Sequence, residues 1–454
     1  MKNLTFLFLI LPFFQFGQKN INLENSEELL RKGYDHYQKE EYYEAIRDYN
    51  KVSINDTNYA KSQYEMALSY IGMEQYIRAQ EILRDLLDYK IRFDFKHQVY
   101  SLLGNAYNKN KQPEEAIKVY SEGIKLYPHQ HLLYYNRGVC YENQKKYAEA
   151  IADYQASIKG NVYYYPSHLR LGIIAANQGL YDQALMSLLM FTWIEPEDSR
   201  VNEVVGIMES LANGSFESTH EQIKVYENGD PYSEFNELFT NKIALQDNYK
   251  TKFTIGTDYA KQLHLFLKNN TYNKDNLDFW NQIYMPFYQS VWENKKLDEL
   301  ILVSLIPNES DAIQGKIKGK ISKIRAFYDW SKTEFDKLAS TQYMEFEGKE
   351  QFIYANYAAK GLISLGHLGG PDGRTEVGNN YYYHPNGLLK MIAHLDEKGD
   401  PIGTWEIFNE FDGNISRKVE FVDATTKKFY EYYFTGELNE KYTLKNNLAQ
   451  IGRA

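Results

Sequence analysis

The chain has 454 residues, enough for two or three domains, so core size sets no limit on its fold. A formal charge of −10 and a pI near 5.6 exclude a general nucleic-acid binder, whose phosphate contacts need a basic surface, although a local basic face stays open. Tyrosine is over-used at 41 residues, which fits either codon bias or a recognition surface lined by tyrosines.

Residues 1–17 read as a secretory signal. Lys2 supplies the positive start, and Leu4 to Phe14 is an apolar run broken by Thr5 and Pro12, too short to span a bilayer. Gly17 suits the position before cleavage, while Gln15 fits the small-x-small rule poorly. An uncleaved anchor or an apolar start to the first helix are the alternatives. No cysteine follows the run, as a lipoprotein would require, and no later segment approaches about 18 continuous apolar residues. The mature chain is therefore expected to be soluble, secreted across the inner membrane, and periplasmic or associated with the cell envelope. Its single cysteine, Cys140, can form no intrachain disulfide and no thiolate cluster.

A short phrase then recurs: Tyr42-Tyr43-Glu44-Ala45-Ile46, Tyr76-Ile77-Arg78-Ala79-Gln80, Pro113-Glu114-Glu115-Ala116-Ile117, Tyr147-Ala148-Glu149-Ala150-Ile151 and Tyr181-Asp182-Gln183-Ala184-Leu185. The alanines stand 34, 37, 34 and 34 residues apart. Twelve residues before each lies a small residue (Gly33, Ala67, Gly104, Gly138, Gly172), and four after each a bulky one (Tyr49, Leu83, Tyr120, Tyr154, Leu188). Pro128 and Pro196 close two units. The 37-residue step places a longer connection at Lys90 to Lys96. The pattern resembles the tetratricopeptide repeat over residues 26–197, five units of two antiparallel helices, with Ser199 to Ala212 as a capping helix. Cys140, two residues past its unit's glycine, falls at a packing position.

The resemblance implies a concave groove lined by the first helix of each pair. It places Tyr34, Tyr37, Tyr64, Leu68, Asn105, Asn108, Tyr135, Glu142 and Ile173 on the inner surface, suited to an extended peptide or a protein partner. A subset of the family clamps a C-terminal carboxylate with Asn and basic residues. Asn105, Asn136 and Arg170 match three of those positions, while Ser101 and Pro166 break the pattern.

Asn213-Gly214-Ser215 is a break, and residues 232–340 are helical without the repeat phrase. One segment is expected from Asp275-Asn276-Leu277-Asp278 to Trp292, and another from a Ser310-Asp311 cap to Lys337. Lys316, Lys318, Lys320, Lys323 and Arg325 form a basic cluster, either a solvated helix face or a contact for an anionic partner or membrane surface. Residues 343–445 shift to strands. Tyr343–Phe346, Glu347-Gly348 and Phe352–Tyr354 read as a hairpin, and aromatic runs end in turns at Asn386-Gly387, Asp412-Gly413 and Thr435-Gly436. With Gly403-Thr404-Trp405, residues 378–440 resemble MORN-like repeats of the YwqK antitoxin type, modules associated with binding or assembly. The fold class expected is mainly α: a helical solenoid, an irregular helical region and a C-terminal antiparallel β-hairpin module.

No catalytic constellation stands out. His220-Glu221 lacks the second histidine of a zinc-protease helix, and Gly315-Lys316-Ile317-Lys318 lacks phosphate-loop spacing. The glycines at 366, 369, 370, 373 and 378 precede strands rather than a helix, and no Gly-x-Ser-x-Gly elbow occurs. His384 and His394 flank one hairpin without a third ligand. The sequence thus points to an exported, non-enzymatic scaffold with no metal and no cofactor, gripping a protein or peptide in the groove and offering a second contact in the hairpins. The alternative is an envelope enzyme, such as a hydrolase, with its site in 232–345 and the repeats as a targeting arm.

Overall fold

The computed structural model of the chain describes residues 25–89, 93–219, 232–339, 341–358, 361–369, 375–433, 435–446 and 448–450. The proposed signal lies outside these residues, as do His220 and Glu221. The chain divides into two units, residues 1–82 and 83–454.

The first unit holds α1 (Ser26–Gln38), α2 (Tyr42–Tyr49) and α3 (Tyr59–Gly72), and α4 (Tyr76–Leu87) crosses the division. Asn25 caps α1 by accepting the Glu27 N–H at 3.1 Å. Ala45, Tyr49 and Met66 form a small core with Leu30, Tyr37, Ile46 and Ile82 packed around it.

The second unit continues the pattern in α5 (Lys96–Lys109), α6 (Pro113–Leu126), α7 (His131–Asn143), α8 (Tyr147–Gly160), α9 (Tyr165–Asn177), α10 (Tyr181–Ile194) and α11 (Val201–Asn213). At the glycine positions the small and bulky register residues meet as backbone and side chain, a tyrosine ring in three repeats and Leu188 in the fifth. A Cβ on Gly104 would stand 2.3 Å from Tyr120 Cε1, and one on Gly33, in the first unit, 2.4 Å from Tyr49 Cε1. The turn inside each repeat is also the same. Glu40, Glu74, Lys111, Lys145 and Gly179 occupy one register position, all with φ between 58° and 75°. The following N–H returns to the carbonyl five residues back each time, as from Lys146 to Tyr141.

The solenoid does not end in a free face. From Asp182 to Trp193 every residue of α10 is buried, because helices of the middle region surround it. The middle region comprises α12 (Ser233–Thr240), α13 (Asp258–Asn269), α14 (Phe279–Ile283), α15 (Met285–Glu293), α16 (Leu297–Ser304), α17 (Asp311–Lys318) and α18 (Ile321–Ala339), of which α12, α13 and α16 pack on α10. One apolar core runs from Tyr147 to Phe335. Polar atoms inside it are matched across the chain: Trp193 Nε1 donates to Ser331 Oγ at 2.8 Å, and Tyr288 Oη to the Met186 carbonyl at 2.6 Å. Two expected long helices are broken. Asp278 caps α14 through the Trp280 N–H, but the helix stops at Tyr284 before Pro286 starts α15. The segment after Ser310 turns at Gly319-Lys320, and the Ser310 side chain makes no cap bond.

The C-terminal sheet is an antiparallel meander in sequence order. Its strands are β1 (Thr341–Phe346), β2 (Lys349–Ala358), β3 (Gly361–Gly369), β4 (Thr375–Tyr383), β5 (Leu389–Leu395), β6 (Gly403–Phe408), β7 (Ile415–Phe421), β8 (Thr426–Tyr432), β9 (Leu438–Lys445) and β10 (Leu448–Gln450). Glu347 and Gly348 both have positive φ, as a two-residue hairpin needs. Gly366 is required by its neighbour: a Cβ there would lie 1.7 Å from Asn380 Oδ1. Trp405, Val419, Phe429 and Tyr442 pair strand to strand in one row, and the Phe429 and Tyr442 rings stack at 4.9 Å. The two flanking rows on the other face are charged, one with Glu406–Lys418 at 2.6 Å and one with Glu420–Lys428 at 3.1 Å. All seven residues of β8 are half-buried, so both faces keep contact with solvent.

Candidate functional site

The residues of the first unit expected to line the groove keep mostly local contacts. Tyr34 is exposed, Tyr37 meets Tyr42 edge-on at 5.5 Å, Lys61 Nζ lies 5.3 Å over the Tyr64 ring, and Leu68 is half-buried.

In the second unit the amides expected to meet a ligand already serve the scaffold. Asn105 Oδ1 accepts from Tyr120 Oη at 2.8 Å, and Asn136 Nδ2 donates to Ser101 Oγ at 2.9 Å. Asn108 is half-exposed on the same helix as Asn105, and Ile173 packs against the large core. Arg170 Nη1 donates to Glu142 Oε1 at 3.2 Å, and Tyr154 Oη donates to the other oxygen at 2.5 Å. Each group at the three positions matching a carboxylate clamp is thus engaged within the protein.

Tyr135, Glu142 and Arg170 do converge. The Tyr135 ring lies 5.8 Å from that of Tyr154 and meets Tyr164 edge-on at 5.2 Å. Burial works to lower the Arg170 pKa, but Glu142, Tyr154 and Tyr135 hold it above its ordinary value. Burial, Glu142 and the Glu142 hydrogen bond push the Tyr154 phenol far above its usual range, so it remains a donor. The result is a half-open aromatic shelf with a neutralised ion pair behind it. It can stack on apolar or aromatic side chains and offers spare lone pairs and N–H groups to a peptide backbone. Tyr164 was missed because it precedes α9 by one residue and lies outside the helical register.

Elsewhere, Cys140 is fully buried, and burial followed by Asp153 pushes its thiol up to about 12. His384 Nε2 lies 3.2 Å from the Phe408 carbonyl and His394 Nδ1 2.5 Å from Asn379 Oδ1, so each histidine has its own partner. Among the described residues no cluster of three or more His, Cys, Asp or Glu could hold a metal, and no helix is long and apolar enough to cross a membrane. Lys316, Lys318, Lys323 and Arg325 are exposed and Lys320 half-exposed around the corner between α17 and α18.

The tetratricopeptide-repeat family model matches residues 64–131 and 102–161, so the helical pairs there are tetratricopeptide repeats. Among solved structures the chain is similar to MamA, with 22% identity over 36% of this chain and 95% of that one, and a TM-score of 0.32. It is similar to YrrB, described as a TPR protein with an unusual peptide-binding site, with 19% identity over 39% and 89% and a TM-score of 0.30. A thermophilic TPR protein of Thermus thermophilus shares 17% identity over 40% and 99%, with a TM-score of 0.34. No curated protein sequence matches the chain.

Proposed function

We propose that this protein is a non-enzymatic interaction scaffold of the cell envelope, exported by its N-terminal segment, which grips a peptide or protein partner on the inner face of its repeats. The observation that carries the reading is the shelf of Tyr135 and Tyr164, half-exposed and held edge-to-face at 5.2 Å. Paired tyrosines present large apolar area with little rotamer entropy to lose, which favours an extended chain laid across them. The ion pair beneath fixes the shelf and, being neutralised, favours a partner read by its side chains rather than by a terminal carboxylate. On the repeats, Arg170 and Glu142 are bound to each other, which suits a fixed contact surface better than a catalytic pair.

The C-terminal sheet supplies the second contact surface, as a MORN-like module. The support is its repeated turn chemistry: Gly387, Gly413 and Gly436 each stand at positive φ after aromatic strands. The test is crosslinking in the native envelope, followed by comparison of wild type with Tyr135→Ala/Tyr164→Ala. Loss of the crosslinked partner is expected from a double variant that melts lower, because both rings pack on neighbours, but still unfolds cooperatively. Equal recovery by a folded double variant would place the partner elsewhere, and recovery of the protein only from the cytoplasmic fraction would overturn export.

A further inference from the structure

We propose that a cleft in the middle helical region, between the loop before α13 and the turn joining α15 to α16, binds a carboxylate that carries an aromatic group. The cleft holds about 460 Å³ and is lined by Lys252, Phe253, His264, Trp292, Lys295 and Asp298, with Glu293 and Leu297. That volume lies in the range of small-ligand pockets. The site is separate from the repeat groove and does not rest on the scaffold reading.

The walls select an aromatic group. His264 meets Trp292 edge-on at 4.9 Å and Phe253 at 6.0 Å, giving three ring surfaces around one space. The Trp292 and Phe253 side chains stay half-exposed although both pack on the core, so part of each ring is left without a protein neighbour.

The lining carries two carboxylates and two ammonium groups, and what favours an anion is that the carboxylates are already hydrogen-bonded within the protein while the ammonium groups, among the described residues, are not. Asp298 keeps its charge but turns both oxygens to Thr254, accepting its N–H at 2.7 Å on one and its hydroxyl at 2.6 Å on the other. Glu293 accepts from Gln289 Nε2 at 2.7 Å. Lys252 and Lys295, both exposed at the rim, have no carboxylate within ion-pair distance among the described residues. His264 Nδ1 lies 2.6 Å from Tyr249 Oη. When the phenol donates to Nδ1, the neutral imidazole carries its proton on Nε2, so the ring that lines the cleft keeps one N–H donor. Burial, then Lys268, lowers the His264 pKa, which keeps the ring neutral at pH 7. Two ammonium groups and one N–H donor around three ring walls match an aryl or arylalkyl carboxylate.

Isothermal titration of the full chain with N-acetyl-L-phenylalanine, its amide and phenethylamine tests this. The carboxylate is expected to bind at least about tenfold more tightly than the amide, with the amine weakest. Lys252→Ser/Lys295→Gly should abolish that preference; glycine suits position 295, where φ is 56°. Equal affinity for acid and amide, tighter binding of the amine (favoured by Glu293 and Asp298), or no binding of any probe at millimolar concentration would each overturn the proposal. If the double variant fails to fold, the wild-type ratio of acid to amide decides alone. A pentapeptide ending in phenylalanine and free phenylacetate separate the sources. Binding of the peptide as tightly as the single residue assigns a polypeptide C terminus, and binding of phenylacetate without the peptide assigns a small acid.

Discussion

Arg137 holds Asp153 with two parallel bonds, Nε to Oδ2 at 2.8 Å and Nη2 to Oδ1 at 2.7 Å, across the two helices of the fourth repeat. Its remaining nitrogen reaches Ser121 Oγ in the preceding repeat at 2.8 Å. Burial raises the Asp153 pKa in spite of the opposing pull of Arg137, whereas burial of Arg137 is overcome by the bond and charge of Asp153, which hold its pKa up, so desolvation and attraction are closely matched at this pair. Removing one partner strands a buried charge, and Arg137→Ala should cost about 3–5 kcal/mol. The double change Arg137→Met/Asp153→Leu should cost clearly less than the single one. Urea unfolding of the three proteins checks the order. A single variant no worse than the double would show that the pair is not the repeat's buried tie.

Gly104 faces the Tyr120 ring with no room for a methyl group. Gly104→Ala should destabilise by about 1–3 kcal/mol through overpacking. Gly104→Ala/Tyr120→Leu should recover part of the loss, since the second repeat holds Ala67 and Leu83 at the two register positions. Thermal unfolding of both variants reads the difference. No recovery would mean that the Tyr120 hydroxyl bond to Asn105 matters more than the ring's bulk.

The repeat was legible because its small, bulky and alanine positions are each dictated by contact, and a fixed spacing displays them five times. The sheet's tight turns were legible for a similar reason, since positive φ calls for glycine at Gly387, Gly413 and Gly436. What stayed hidden depends on contacts far apart in the chain. His168 and Tyr284, 116 residues apart, bond at 2.7 Å inside the core, and neither carries a local signature. The run Ala184 to Trp193 did hold a signal: a helix apolar on all sides must be covered on all sides, so the solenoid could not end open. The α15–α16 turn repeats the solenoid's geometry, with Lys295 at φ 56° and the Lys296 N–H bonded to the Val291 carbonyl. Leu300 stands there in place of the repeat's alanine, which concealed it. In the cleft beside that turn, Phe253, His264 and Trp292 come from three elements without any common spacing.

Lys145 sits in the left-handed region at φ 60°, at the position where the fifth repeat has Gly179. A side chain there crowds the backbone, and glycine removes the strain at some cost in unfolded-state entropy. Lys145→Gly should therefore stabilise the protein by about 0.5–1 kcal/mol, and Gly179→Lys should destabilise it by a similar amount. Paired denaturation curves measure both. A loss of stability in Lys145→Gly would show that the side chain makes a contact that outweighs the strain.

Acid should unfold the second unit through four histidines, of which His131 and His168 are buried and His97 and His129 half-buried. Burial lowers His97, His129, His131 and His168 to about 4 each, against an ordinary value of 6.5. The folded protein thus holds fewer protons than the unfolded chain between pH 6.5 and about 4, so stability is present above that window and lost as pH falls through it. Each fully buried group accounts for roughly 3 kcal/mol at most. His168 is the clearest case, with Nδ1 2.7 Å from Tyr284 Oη and Nε2 2.9 Å from the Val162 carbonyl. The Nε2 proton must serve the carbonyl, so Nδ1 accepts from the phenol, and a second proton would force the Tyr284 hydroxyl to turn away and place a charge in the core. His129 and His97 sit where the sheet meets the repeats: His129 packs on Tyr383 at 4.6 Å, and Asn386 bonds the Asp94 carbonyl at 3.2 Å beside His97. Urea midpoints at pH 7, 5.5 and 4.5 should fall in that order. His168→Gln should start less stable at pH 7 and show a shallower decline. A midpoint unchanged from pH 7 to 4.5 would show that these imidazoles titrate normally in the folded chain.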